Sequence, residues 1–203
     1  MNLFIDKKNA VVCDWLRWRK ASDGEMATGR VCSGEDFCKV VSGYACDIKD
    51  LDFLWREASE AEKQTGLVCE NSINNKVVGN YVCENSAWRK ASEAESYTGY
   101  VCGETISVGK LALGSNNTYY SCIKENTSSF SWRKSNEAEI ATKRVCFEDN
   151  LDSIAVKAGY TCVLENSNYK WRKSTAGELA TVQICSAAIV DSVFTEQGFT
   201  CVD

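Results

Sequence analysis

The stretch Trp88–Cys102, "WRKASEAESYTGYVC", decides the fold, because its words return four more times along the chain. Aligned on the Trp, the other copies begin at Trp18 ("WRKASDGEMATGRVC"), Trp55 ("WREASEAEKQTGLVC"), Trp132 ("WRKSNEAEIATKRVC") and Trp171 ("WRKSTAGELATVQIC"). In every copy a Cys follows the Trp by fourteen residues: Cys32, Cys69, Cys102, Cys146 and Cys185. The Trp-to-Trp steps of 37, 33, 44 and 39 residues lie in the range of tandem repeat arrays. A fixed word separated by variable spacers means a fixed core with adjustable loops.

Four residues after each Trp stands Ser22, Ser59, Ser92, Asn136 or Thr175, and three further on Glu25, Glu62, Glu95, Glu139 or Glu178. This spacing is a capping box, in which the side-chain oxygen accepts from the N3 amide and the Glu reaches back to the N-cap amide. A short helix therefore starts in all five copies. Gly29, Gly66 and Gly99 suit a left-handed C-cap about two turns later. Lys143 and Val182 hold that place in the last two copies, so the chain is expected to leave those helices differently.

Upstream of each later Trp lies an aromatic-x-Cys word at Tyr44, Tyr81, Tyr120 and Tyr160, and Phe199 begins the last one. Residues two apart share a strand face, so ring and Cys point the same way. In "YVCENSAWRKA" this strand meets the Trp strand through a loop short enough for a tight hairpin. The expected fold class is small α+β disulfide-rich tandem repeats, each a β-hairpin plus a two-turn helix, stacked into an elongated array. The repeats divide as 1–43 with an N-terminal cap, 44–80, 81–118, 119–158, and 159–203 with a closing strand.

Twelve cysteines in 203 residues, evenly spread and never in C-x-x-C pairs, read as six disulfides rather than zinc or redox motifs. Twelve allow on the order of ten thousand connectivities, and the repeat reduces these to two registers. One joins the Cys after each helix to the next aromatic-x-Cys: Cys32–Cys46, Cys69–Cys83, Cys102–Cys122, Cys146–Cys162 and Cys185–Cys201. It leaves Cys13 and Cys38 to pair, with Cys38 acting as a cap for the first repeat. The other joins Cys46 to Cys69 and so on, and strands Cys38 and Cys201 at opposite ends of the array. The first is adopted. Each closed loop of about 15 residues is worth about 3 kcal/mol, which units this small need.

Disulfides on this scale belong to an extracellular, cell-surface or periplasmic protein. Met1–Val12 carries Asp6, Lys7 and Lys8 where a leader would be apolar, so either a leader has been removed or the chain is a segment of a longer one. A net charge of −5 with interleaved signs gives no footprint for nucleic acid, and no apolar run is long enough to span a membrane. Without His, Ser-His-Asp and Cys-His nucleophiles and His-ligated metals drop out. No catalytic residue, metal or cofactor is expected.

The alternation of "YVC…WRKA-S/T-x-x-E-x-x-x-G…C" resembles cysteine-rich tandem repeats in exported and surface proteins of cellulose-degrading Fibrobacter-type bacteria, from Cys13 to Cys201. The resemblance implies an exported, surface-anchored protein in the neighbourhood of plant-polysaccharide degradation, and carries over no catalytic residue.

Two roles compete for the five repeated Trp: platforms for sugar rings aided by the adjacent Arg, or plugs over each disulfide. Identical placement in every copy favours the plug. Trp15 lies outside the register, so it and Tyr119 are candidate contacts, while Trp15 could also close the end of the array. The repeated Arg and Glu read as structural ties, since five equal acid-base sites would be odd for an enzyme. Asn116 and Asn126 open N-x-S/T sequons, which would be glycosylated only in a eukaryotic secretory route. The leading expectation is a non-catalytic extracellular protein for surface display, adhesion or assembly, meeting protein or polysaccharide at a cell surface through its irregular loops. The alternatives are a polysaccharide-binding module using exposed Trp and Tyr, and a structural subunit that self-associates end to end.

Overall fold

The computed structural model describes residues 4–14, 17–126, 128–186, 188–194 and 197–202. They fall into two compact units, Met1–Ser92 and Glu93–Asp203. The first unit holds three antiparallel three-stranded sheets: β1 (Phe4–Asp6), β2 (Val11–Asp14) and β3 (Arg17–Lys20), then β4 (Val40–Val41), β5 (Tyr44–Lys49) and β6 (Asp52–Glu57), then β7 (Val77–Val78), β8 (Tyr81–Glu84) and β9 (Ala87–Lys90). Helices α1 (Asp23–Thr28) and α2 (Glu60–Thr65) separate them.

The second unit opens with α3 (Glu93–Thr98) and the sheet β10 (Leu111–Leu113), β11 (Tyr119–Lys124) and β12 (Phe130–Lys134). Helix α4 (Glu137–Thr142) leads to β13 (Ile154–Ala155), β14 (Tyr160–Glu165) and β15 (Asn168–Lys173). Helix α5 (Ala176–Thr181) leads to a two-stranded sheet of β16 (Val193–Phe194) and β17 (Phe199–Thr200).

The expected hairpin is the second and third strand of each three-stranded sheet. A first strand of two or three residues is added in front, too short to show a period in the sequence. It pairs with the aromatic-x-Cys strand, for example Val40 with Ala45 and Val77 with Val82. In the third strand the Trp always stands opposite the Cys: Cys46–Trp55, Cys83–Trp88, Cys122–Trp132 and Cys162–Trp171. Cys13 and Trp18 hold the same register in the first sheet.

The aromatic-x-Cys strand is buried on both faces, as a middle strand must be. Its Cys face meets the helix that precedes the sheet, and Cys32, Cys46 and Trp55 form one apolar cluster with Tyr44 against it. Its opposite face carries Val12, Ala45, Val82, Ser121 or Thr161, all without exposed surface. Each helix accordingly packs on the sheet that follows it: α1 on β5 and β6, α2 on β9, α3 on β10 and β12, α4 on β15, α5 on β17.

The five repeat-register disulfides are present, with Cα atoms 5.2 to 5.5 Å apart. The sixth is not: Cys13 and Cys38 carry free thiols. Cys13 is the register equivalent of Cys46, whose partner comes from the loop after a preceding helix, and no helix precedes β2 among the described residues. Cys38 occupies a left-handed turn at φ 62°, its amide donating to the Cys46 carbonyl. Asn75, Gly109, Asp152 and Asp191 make the same amide bond to Cys83, Cys122, Cys162 and Cys201. Cys38 is thus a turn residue, not a cap.

The helix exits share one backbone conformation in the last two copies as well. Lys143 (φ 61°) and Val182 (φ 55°) adopt the left-handed conformation of Gly29 (φ 75°). The Val182 amide still donates to the Glu178 carbonyl, as Gly29 does to Glu25, so the cap bond overrides the steric preference. A β-branched residue there is strained. Val182→Gly should stabilise the fold by about 1 kcal/mol, read as a raised midpoint in thermal or denaturant unfolding. Gly24→Ala should do the reverse by about 1–3 kcal/mol, because its Cβ would lie 2.2 Å from the Trp55 Cβ.

Candidate functional site

The polar residues of the repeated word converge on the helix start. Arg19, Arg56, Arg133 and Arg172 each clasp the Glu six residues on, with one Nη1–Oε2 distance of 2.8 Å in every case. The same Glu oxygen accepts from the N-cap amide, at 2.7 to 2.9 Å for Ser22, Ser59, Asn136 and Thr175. Ser121 and Thr161 add hydroxyl bonds to Glu139 and Glu178 from the strand beneath. The carboxylates are buried, and these donors make burial tolerable.

Burial pushes the Glu25 and Glu62 pKa values up, but the Arg and N-cap donors outweigh it and hold both below the ordinary value. Arg172 is the main cause of the same depression at Glu178. A carboxylate held ionised and fully bonded has neither proton nor lone pair to offer a substrate. The arrangement is a tie between strand and helix.

The Trp indoles are also committed. Those of Trp55, Trp88, Trp132 and Trp171 donate to the carbonyls of Arg30, Leu67, Tyr100 and Arg144, each one residue past a helix cap, at 2.8 to 3.1 Å. Trp55 is buried and the next three are half-buried, whereas Trp18 is 59% exposed.

Each unit has a cleft beside these ties. In the first unit a cleft of about 980 Å³ beside α2 is lined by Phe37, Cys38, Arg56, Tyr81 and Trp88. Cys38 donates its thiol hydrogen to Glu70, and burial together with that carboxylate pushes its pKa up to about 12. In the second unit a cleft of about 390 Å³ beside α5 is lined by Gly177, Gln183, Cys185 and Phe199.

Of the contact residues expected from sequence, Trp15 lies outside the described residues. Tyr119 is half-buried under the Lys143 ammonium, 4.7 Å from its ring centre. Asn116 is exposed, but its amide donates to the Tyr120 hydroxyl at 3.1 Å. Asn126 accepts from the Ser128 and Ser129 amides and shapes the turn between β11 and β12. Tyr119, Asn116 and Asn126 are thus each engaged by their own surroundings. The aromatic-rich cleft beside α2 escaped the sequence reading, since its lining comes from segments scattered between Phe37 and Lys90.

Repeated three-stranded sheets, short helices and five disulfides define a small disulfide-rich repeat protein. No family model, curated protein or solved structure matches the chain. No described helix is long and apolar enough to cross a membrane.

The depressed Glu25, Glu62 and Glu178 fix the sign of the acid response. Their contribution is complete above the ordinary value of 4.5 and is lost as pH falls through the lower folded values. Thermal midpoints should therefore hold down to about pH 5 and drop below it. Glu62→Gln should flatten part of that drop and cost about 1–3 kcal/mol at pH 7, since Arg56 and the N-cap amide lose a charged partner.

Proposed function

We propose that this is a non-catalytic extracellular scaffold for display, adhesion or assembly at a cell surface. The carrying observation is that the repeated polar and aromatic residues are spent on the frame. Arg and Glu tie strand to helix, the indoles tie sheet to preceding helix, and ten cysteines tie the loops. Variable chemistry is left to the spacers between each helix and the next sheet, where loops on a rigid frame ordinarily bind. The disulfide content suits an oxidising compartment.

A second reading, a polysaccharide-binding module, draws on the cleft beside α2. Phe37, Tyr81 and Trp88 line it with Arg56 and Asp47, the mixture of rings and charges that suits a sugar chain. Binding assays on insoluble and soluble plant polysaccharides separate the two. The scaffold reading expects no retention and the same result for Tyr81→Ala. Retention that Tyr81→Ala reduces at least tenfold would establish the cleft as a sugar site and displace it.

A further inference from the structure

The cleft beside α2 is where the chain departs from its own repeated frame. Phe37 precedes the turn residue Cys38, and the other copies have Asn74, Val108, Leu151 and Val190 at that place. Glu70 follows Cys69, where the other copies have Ser33, Gly103, Phe147 and Ser186. Both departures line the same cleft. The frame accounts for Arg56, Glu62 and Trp88, which recur in every copy, but not for this ring or this carboxylate.

The walls are fixed before anything binds. The Val68 amide donates to the Cys38 carbonyl at 3.0 Å, and Phe37 meets Phe53 edge to face with ring centres 6.0 Å apart. The Trp88 indole is held on the Leu67 carbonyl at 3.1 Å, and the Ser86 hydroxyl on the Asn71 side-chain oxygen at 3.2 Å. An occupant therefore orders little of the protein when it enters.

The charge of the cleft is one-sided. Asp47, Glu60, Glu62 and Glu70 face Arg56 and Lys90, an excess of two negative charges. Arg56 is committed to Asp47 and Glu62, and the Trp88 and Ser86 donors are turned into the wall. Glu60 accepts from Gln64, and Glu70 from Ser72 and the Cys38 thiol. Those two donors hold the Glu70 pKa below its ordinary value, which keeps it ionised at neutral pH. A carboxylate accepts up to about four hydrogen bonds, so both keep acceptor capacity. Aromatic rings beside anionic acceptors are the complement of an organic cation. Arginine fits both parts, with a planar face for the rings and a fork of donors for the carboxylates. At about 980 Å³ the cleft also has room for the backbone on either side of such a residue.

We propose that the cleft beside α2 docks a basic segment of a partner protein, with an arginine side chain laid on its aromatic wall and the guanidinium held by Glu60 and Glu70. This names the partner's chemistry for the adhesion or assembly role proposed above, and rests on that reading. The test titrates the full chain into the peptide Arg-Gly-Arg-Gly-Arg carrying an uncharged dye, with fluorescence anisotropy as the readout, beside the same peptide with citrulline in place of arginine. Saturable binding of the arginine peptide is expected, at least tenfold weaker for citrulline. Glu60→Gln with Glu70→Gln should weaken it about tenfold, and Phe37→Leu about fivefold. Glu93→Gln with Glu137→Gln removes the same net charge at the register equivalents of Glu60 and should leave binding unchanged. Thermal midpoints of the variants verify that each is folded. Absence of binding, equal binding of the citrulline peptide, or equal weakening by the two pairs of Gln variants would overturn the inference. A failed titration leaves the scaffold reading in place, whereas retention on polysaccharide removes that reading, so the two fail separately.

Discussion

The indole bond of the repeated Trp is the constraint on which the remaining geometry rests. It spans from the third strand of one sheet to the first carbonyl beyond the preceding helix cap, a group that also accepts from the last Thr of that helix, as Arg30 does from Thr28. To reach it the ring must lie over the disulfide, as Trp55 does over Cys32 and Cys46. One side chain thereby covers the sulfur, satisfies a helix terminus and fixes the distance between consecutive repeats. The left-handed cap follows, since it presents that carbonyl. At Val182 the amide bond to the Glu178 carbonyl sustains a positive φ that its side chain disfavours.

The second tie works on the opposite face of the same sheet. The Arg next to the Trp points away from the indole, as strand alternation requires, and meets the N3 Glu of the helix that follows. Trp and Arg, adjacent in sequence, therefore bind backward and forward along the chain. A helix of six residues has little stability of its own. Its start is held by a buried Glu with several donors, and its end by the next sheet's Trp. Neither helix nor sheet is a separate folding unit in this arrangement.

Much of this frame was legible because its residues recur with fixed spacing. The capping box, the hairpin and five disulfides follow from Ser59, Glu62, Tyr81, Cys69 and Cys83 and their equivalents. The short first strands were not, because two residues such as Val77 and Val78 carry no period. Ser121 and Thr161 were hidden for another reason: the middle residue of aromatic-x-Cys is Val, Ala, Ser or Thr, and only the fold shows that Ser121 and Thr161 face the buried Glu139 and Glu178. The Cys13–Cys38 pairing came from counting leftovers. Val11 stands where the other copies have an aromatic ring, which concealed that Cys13 belongs to the repeat register.

The same frame explains why function is hard to place by residue type. In a protein whose repeated polar groups are unengaged, a charged or aromatic side chain is informative about chemistry. Here Arg, Glu and Trp are the internal fasteners, and the lowered pKa values of Glu62 and Glu178 follow from pairing with Arg56 and Arg172 rather than from any task. Informative positions are those that break the pattern: Cys38 among Asn, Gly and Asp turn residues, Trp18 exposed among covered Trp, and Cys185 exposed among covered Cys. Burial, with Glu70 beside it, keeps the Cys38 thiol protonated, and Cys38 behaves as the turn residue it replaces.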